Sequence, residues 1–217
     1  MTSDAALAAM RDFVLANETN LKTGCLIHEA FDSVRDKLVS DLARRIGEKL
    51  SGIDDQWEVA NSLADNPAGL YEKILWFPRS WSKDYGWGVC LQTSRAGARG
   101  VILGFCAPSK DIADREPRYP AMPEETRNRI AVVVGKAITF ATPRSEPWWP
   151  SYGVLPPDIY DWSKSSALSK IYFALHRGGD ADLVGGEPFD EFLVAIFLAI
   201  KQQVEPIVRD PITPVPE

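Results

Sequence analysis

Cys25-x-x-His28 has the spacing of two metal ligands on one helical turn, and Cys90 and Cys106 are the other cysteines of the 217-residue chain. If the runs carrying Cys90 and Cys106 pair as a hairpin, the four side chains could converge on a Cys₃His zinc site. The alternative is three ordinary cysteines, a residue type often buried for its apolar character. A Cys-x-x-Cys pair, the stronger zinc signal, is absent. A second group is aromatic. Trp148, Trp149 and Tyr152, together with Trp76, Trp81, Tyr85 and Trp87, could stack on bases or sugars or could simply fill a core. A third is basic. Residues 73–118 hold eight Lys or Arg against four acids, in a chain whose net charge is −6. That local excess could meet an anionic polymer, or could be a charged rim that blocks unwanted strand pairing. A fourth is acidic. Asp54-Asp55, Glu124-Glu125, Asp158 with Asp161, and Asp190-Glu191 could hold magnesium, but acids are expected at helix starts and turns for electrostatic reasons alone.

Several common chemistries lack their residues. There is no G-x-x-x-x-G-K-[ST] loop, no G-x-G-x-x-G fingerprint, no G-x-S-x-G elbow and no H-E-x-x-H pair. His28 and His176 are the only histidines, and neither stands in a local triad pattern. No catalytic residue and no cofactor is therefore expected.

The elements that must position these residues follow from periodicity. Apolar residues at Leu7, Met10, Phe13 and Val14 predict a helix over 4–16. Leu26, Ile27, Ala30, Phe31, Val34, Leu38, Leu42, Ile46 and Leu50 predict a long amphipathic helix over 23–50, stopped by Ser51-Gly52. Its stripe drifts, because a step of four residues overshoots a 3.6-residue turn by ~40°. The helix is thus expected to be covered on different sides along its length, in part by a second copy of the chain. Short strands are predicted at Trp57–Val59 and Ile74–Phe77, and a hairpin from the runs 87–94 and 100–107. Residues 107–122 and 142–157 read as loops. Pro123-Glu124-Glu125 opens a helix, and two more are predicted over 163–176 and 188–204. The proline-rich segment 210–217 reads as an irregular tail, following a single domain over 1–209. Helices, then antiparallel strands, then helices is an α+β order, with the long helix expected across one face of a small antiparallel sheet.

Hydrophobic residues make up 45% and charged residues 25%, an ordinary globular balance. The acidic net charge argues against a protein that coats nucleic acid. No basic leader precedes an apolar run at the N-terminus, and no stretch reaches the ~20 apolar residues a membrane span needs. With an odd number of cysteines, these features predict a reduced, cytoplasmic protein with no membrane partner.

One arrangement points further. A long amphipathic helix leads to Trp57, then to a segment with Trp76 and Trp81, then to Tyr85-Gly-Trp-Gly-Val-Cys-Leu91 before a second strand. Over about residues 10–107, and more loosely 162–204, this resembles the C-terminal half of bacterial PD-(D/E)XK nuclease-like proteins. The catalytic core of that family needs an acid two residues before a lysine. The residues two before the ten lysines are Asn20, Arg35, Gly47, Tyr71, Trp81, Pro108, Val134, Trp162, Leu168 and Ala199. None is acidic. The resemblance implies a companion half without catalytic residues, acting as a recognition or protein-interaction module in a bacterial defence or mobile-element system. The expected partner is protein, including a second copy of the chain. The expected binding residues are Arg79, Lys83, Arg95 and Arg99 on the hairpin rim, with Trp149 and Tyr152. The alternatives are an anionic polymer at that rim and a thiol- or metal-dependent enzyme using Cys25, His28, Cys90 and Cys106.

Overall fold

The structure, a computed structural model, describes residues 3–81, 87–106, 124–146, 149–156, 158–176, 184 and 187–208. The fold is α+β. Helices α1 (Ser3–Leu15) and α2 (Glu18–Ser51) come first, followed by β1 (Trp57–Asn61), the single turn α3 (Ser62–Asp65) and β2 (Lys73–Pro78). The hairpin β3 (Gly88–Arg95) and β4 (Arg99–Cys106) leads to α4 (Glu124–Ala137). Strands β5 (Arg144–Glu146) and β6 (Trp149–Val154) and helices α5 (Ser165–His176) and α6 (Phe189–Val208) complete it. The strands form one six-stranded sheet in the order β1-β2-β3-β4-β6-β5, with every neighbouring pair antiparallel.

The register assigns each side chain to a face. Val59 opposes Trp76, Trp76 opposes Val89, and Val89 opposes Phe105, so these four share one face. That face, with Ile74, Leu91 and Leu103, forms a single core with the buried sides of α2, α4, α5 and α6. The opposite face carries a second, smaller cluster of Leu75, Cys90, Cys106, Trp149 and Tyr152. Every β3 residue from Gly88 to Thr93 is buried. That is why the sequence there is apolar at successive positions rather than alternating.

Helix α2 does not serve the core along its whole length. Its buried residues are Val39, Leu42, Ala43, Ile46, Gly47 and Leu50, all in the second half. There it lies close on β1: the Asn61 amide donates to the Ala43 carbonyl at 2.8 Å, and a Cβ on Gly47 would fall 2.8 Å from Asn61 Nδ2. The helix also begins five residues earlier than the expected start at residue 23, at Glu18. Asn17 supplies the cap, its side-chain oxygen accepting from the Asn20 backbone N–H at 2.9 Å.

The hairpin forms as its two runs predict, with Arg95 opposite Arg99 and Ala96–Ala98 as the turn. Gly97 and Ala98 both take positive φ, at 73° and 56°, as such a turn requires. Gly100 also has positive φ, and a Cβ there would meet Ser94 Oγ at 2.2 Å. Segment 142–157, expected as a loop, instead supplies β5 and β6. Its prolines misled because Pro150 sits at a bulge, where three steps along β6 (Trp149 to Tyr152) match two along β5 (Glu146 to Arg144). Helix α6 runs four residues beyond the expected Val204, with Pro206 in its last turn. The expected loop 107–122 and tail 210–217 lie outside the described residues.

Candidate functional site

The hairpin rim divides. Arg95 and Arg99 are exposed at the closed end of β3–β4, where Arg99 Nε donates to the Ala96 carbonyl at 3.0 Å. The turn between them is anchored rather than free. The Gly97 N–H donates to the Ala68 carbonyl at 2.9 Å, the Trp162 N–H donates to the Ala98 carbonyl at 3.0 Å, and Ala98 is buried. Arg79 stands at the other end of the sheet. Strand β2 runs antiparallel to β3, with Lys73 opposite Gln92 and Trp76 opposite Val89, so the chain beyond Pro78 leaves from the end away from Arg95. Arg79 is paired there with Glu58 at 3.0 Å. Lys83 lies outside the described residues.

Trp149 and Tyr152 do not present a flat outer surface. Both are only 7% exposed. The bulge turns Trp149 onto the same face as Tyr152, where their rings meet edge-on at 5.5 Å. Tyr152 donates its hydroxyl to Glu146 Oε1 at 2.8 Å. Burial, and then this bond to a carboxylate, raise the Tyr152 pKa above the ordinary phenol value. Trp76 and Trp87 are buried in the main core. Trp148, Tyr85 and the Trp81 side chain lie outside the described residues. The expected patch of six residues is thus not one patch: among those described, two arginines stay together, one is at the far end of the sheet, and two aromatics are inside.

The four candidate zinc ligands also separate. Cys90 opposes Gly104 and Cys106 opposes Gly88, so the two cysteines occupy one diagonal of a cross-strand square and glycines the other. With no side chain directly across from either, the thiols lean together. Burial, followed by a hydrogen bond with Cys90, pushes the Cys106 thiol well above the usual range, so it stays protonated and unreactive. Both thiols are on the sheet face turned away from the main core, whereas Cys25 and His28 are exposed on the first half of α2. Among the described residues, no group of three or more His, Cys, Asp or Glu side chains is placed to hold a metal ion.

Three of the four acid pairs that were candidates for magnesium have structural partners. Asp190, fully buried at the start of α6, accepts from Arg45 Nε and Lys49 Nζ, each at 2.7 Å, and Lys49 also pairs with Glu191. Arg45 further donates to the Leu175 carbonyl at 3.3 Å, so this cluster locks α2, α5 and α6 together. Asp54 pairs with Lys201 at 2.8 Å, and the Lys201 ammonium lies 5.1 Å from the Trp57 ring centre. Asp161 accepts from the Ser163 N–H and hydroxyl, as a turn-forming acid does.

What stands out on the surface is a helical arm. Helix α1 folds back on the start of α2, where Val14 lies over Gly24 and Asn20 donates to the Phe13 carbonyl at 2.8 Å. Leu7, Met10, Phe13, Leu15, Leu21, Leu26, Ile27, Phe31 and Val34 are all exposed. These nine are the majority of the fourteen large hydrophobic residues exposed among the described residues, so the apolar surface is concentrated here. A groove of about 900 Å³ also lies between α4 and α6, lined by Glu125, Arg129, Val132, Gln203 and Pro206 among others. The sequence held a sign of the arm. Ile27, Phe31, Val34 and Leu38 step by four, three and four, whereas Leu38, Leu42, Ile46 and Leu50 step only by four. The first pattern is that of a helix–helix seam. The second rotates steadily, and it carries the stripe into the core.

No protein-family model, curated protein or solved structure matches the chain. Among the described residues, no helix is long and apolar enough to cross a membrane.

Proposed function

We propose that the chain is a non-catalytic protein-interaction module that recognises its partner through the arm formed by α1 and the first half of α2. The observation that supports this is the concentration of exposed apolar side chains there, on helices that the α+β body leaves uncovered. Leaving such a surface in water forgoes roughly 25 cal/mol for each Å² that a partner could cover. On the resemblance to the companion half of nuclease-like proteins, the setting is a bacterial defence or mobile-element system. The anionic-polymer alternative has less support, since among the described residues only Arg95 and Arg99 are together at the hairpin turn. A photo-reactive phenylalanine analogue at position 31, introduced in the native cells, tests the reading. Protein adducts that disappear on Met10→Glu are expected. A folded protein that forms no protein adduct from that position overturns the proposal.

A further inference from the structure

We infer that the occupant of the arm is a second copy of this chain, the two arms packing as an intermolecular four-helix bundle. The inference rests on the reading of the arm as the recognition surface. Both helices carry a seam of the same period: Leu7, Met10 and Val14 on α1 step by three and four, and Ile27, Phe31, Val34 and Leu38 on α2 by four, three and four. An average step of 3.5 keeps an apolar line facing a neighbouring helix, which is the geometry of bundles and coiled coils. The α1–α2 pair by itself leaves most of that line open, and only its end at Leu38 packs against the body's core. Leu7, Met10 and Ile27 are each more than 60% exposed even though Val14 already lies against Gly24. A layer of a four-helix bundle needs side chains from two more helices, and a second arm offers the same kinds at the same spacing.

Size and charge both favour self-pairing. Helix α1 has 13 residues, and Glu18–Leu38 adds 21, enough for the roughly 20–30 residues a side of a standard interface. At 100° per residue, Lys22, Glu29, Asp32 and Asp36 point at least about 120° away from the centre of the α2 seam, while Arg35 and Lys37 flank it at about 70° and 90° and are paired with Asp32, Asp36 and Asp41. Residues 1–38 contain six acids and four bases, a near balance that neither repels a second copy nor selects an oppositely charged partner. A two-fold interface uses the same patch on both subunits. Phe31 is midway between Gly24 and Leu38 along the seam, so antiparallel pairing of the α2 helices brings the two copies of this ring to the axis and sends the two bodies to opposite ends.

Sedimentation of the purified full-length chain at about 1–100 μM tests this. The expected species at the upper end has twice the 24.1 kDa monomer mass and dissociates on dilution. Phe31→Glu should raise the dissociation constant at least about 100-fold, the scale of a central aromatic anchor, with the circular dichroism spectrum retained. Met10→Glu on the other helix should act in the same direction and serves if the first variant misfolds. A chain that sediments as monomer throughout, or a dimer that both substitutions leave unchanged, overturns the inference. A strict monomer that still forms arm-dependent adducts with a different protein overturns self-pairing alone. A monomer without protein adducts at position 31 overturns the recognition reading as well.

Discussion

Ile27 and Ile46 are the same residue on the same unbroken helix, yet the first is 64% exposed and the second is fully buried. Both belong to apolar stripes of comparable density, so amphipathicity alone does not say what covers a helix. The first half of α2 is held by forces along its own length: the Asn17 cap, the Lys22–Glu18 pair at 2.7 Å, and the α1 turn folded against Gly24. The second half is held by the body, through the sheet face, Asn61 and the buried Asp190. The half whose apolar face the body covers is the one whose loss unfolds the domain. The half left open is the one available to a partner.

The sharpest way to break this comparison is the matched pair of truncations. Ile46→Ala should destabilise the protein by about 4 kcal/mol, near the upper part of the range for a fully buried isoleucine. Ile27→Ala, measured by urea unfolding in dilute solution, should stay within about 0.5 kcal/mol. Equal costs at the two positions would mean that the arm is part of the body. Next in size is Asp190→Ala, expected to cost about 3 kcal/mol, since it leaves Arg45 and Lys49 without their shared buried carboxylate. This change should act on the body and loosen α6 from α2. Hydrogen exchange that speeds up around Leu42–Leu50 but not around Leu21–Val34 would bear that out, and acceleration confined to the arm would contradict it.

How much of this was legible depended on whether the signal was local. The β3–β4 hairpin could be read because two apolar runs flank a glycine turn, and α4 because Glu124 and Glu125 follow a proline. Strand β6 could not, because it owes its conformation to pairing with β4, a partner more than forty residues earlier, and to a bulge at Pro150. The same bulge carries Trp149 inward, against the expectation that it would face a ligand. The basic residues show a different failure. Arg79 and Arg95 are near in sequence and both belong to the sheet region, but the reversal between β2 and β3 sends them to opposite ends. Net local charge says nothing about that. The arm lay between these cases: the change in step at Leu38 was present in the sequence, but only the folded body shows which half it leaves uncovered.

A smaller effect concerns the arm alone. Asn17→Ala removes the cap oxygen from the Asn20 N–H and should cost the start of α2 about 1 kcal/mol. Faster exchange should appear in the first turns of α2 and not beyond Leu42. A uniform loss of protection through the whole helix would show the two halves to be one cooperative unit.

The smallest expected effect lies at the junction of the halves, and its sign is fixed by pH. Asp41 accepts from Lys37 Nζ at 2.5 Å and from Arg44 Nη1 at 3.0 Å. The hydrogen bond from Lys37 is the largest cause holding its pKa below the ordinary carboxylate value; burial opposes it, and the Lys37 charge and Arg44 add to the lowering. A carboxyl with a depressed folded-state pKa contributes stability that is fully present above its unfolded pKa, about 3.9, and is lost as pH falls through the folded value. Asp41→Asn should therefore lower stability at pH 7 by about 0.5 kcal/mol, the scale of half-exposed pairs on a helix surface. The effect should shrink as pH falls through the lowered folded-state pKa, where the wild-type carboxyl becomes protonated as well. High salt should shrink the difference at pH 7, because Lys37 is 71% exposed on its side chain and readily screened. A variant whose destabilisation does not change from pH 7 down into the acid range would show that Asp41 acts through packing rather than charge, and the boundary between arm and body would then be held by shape alone.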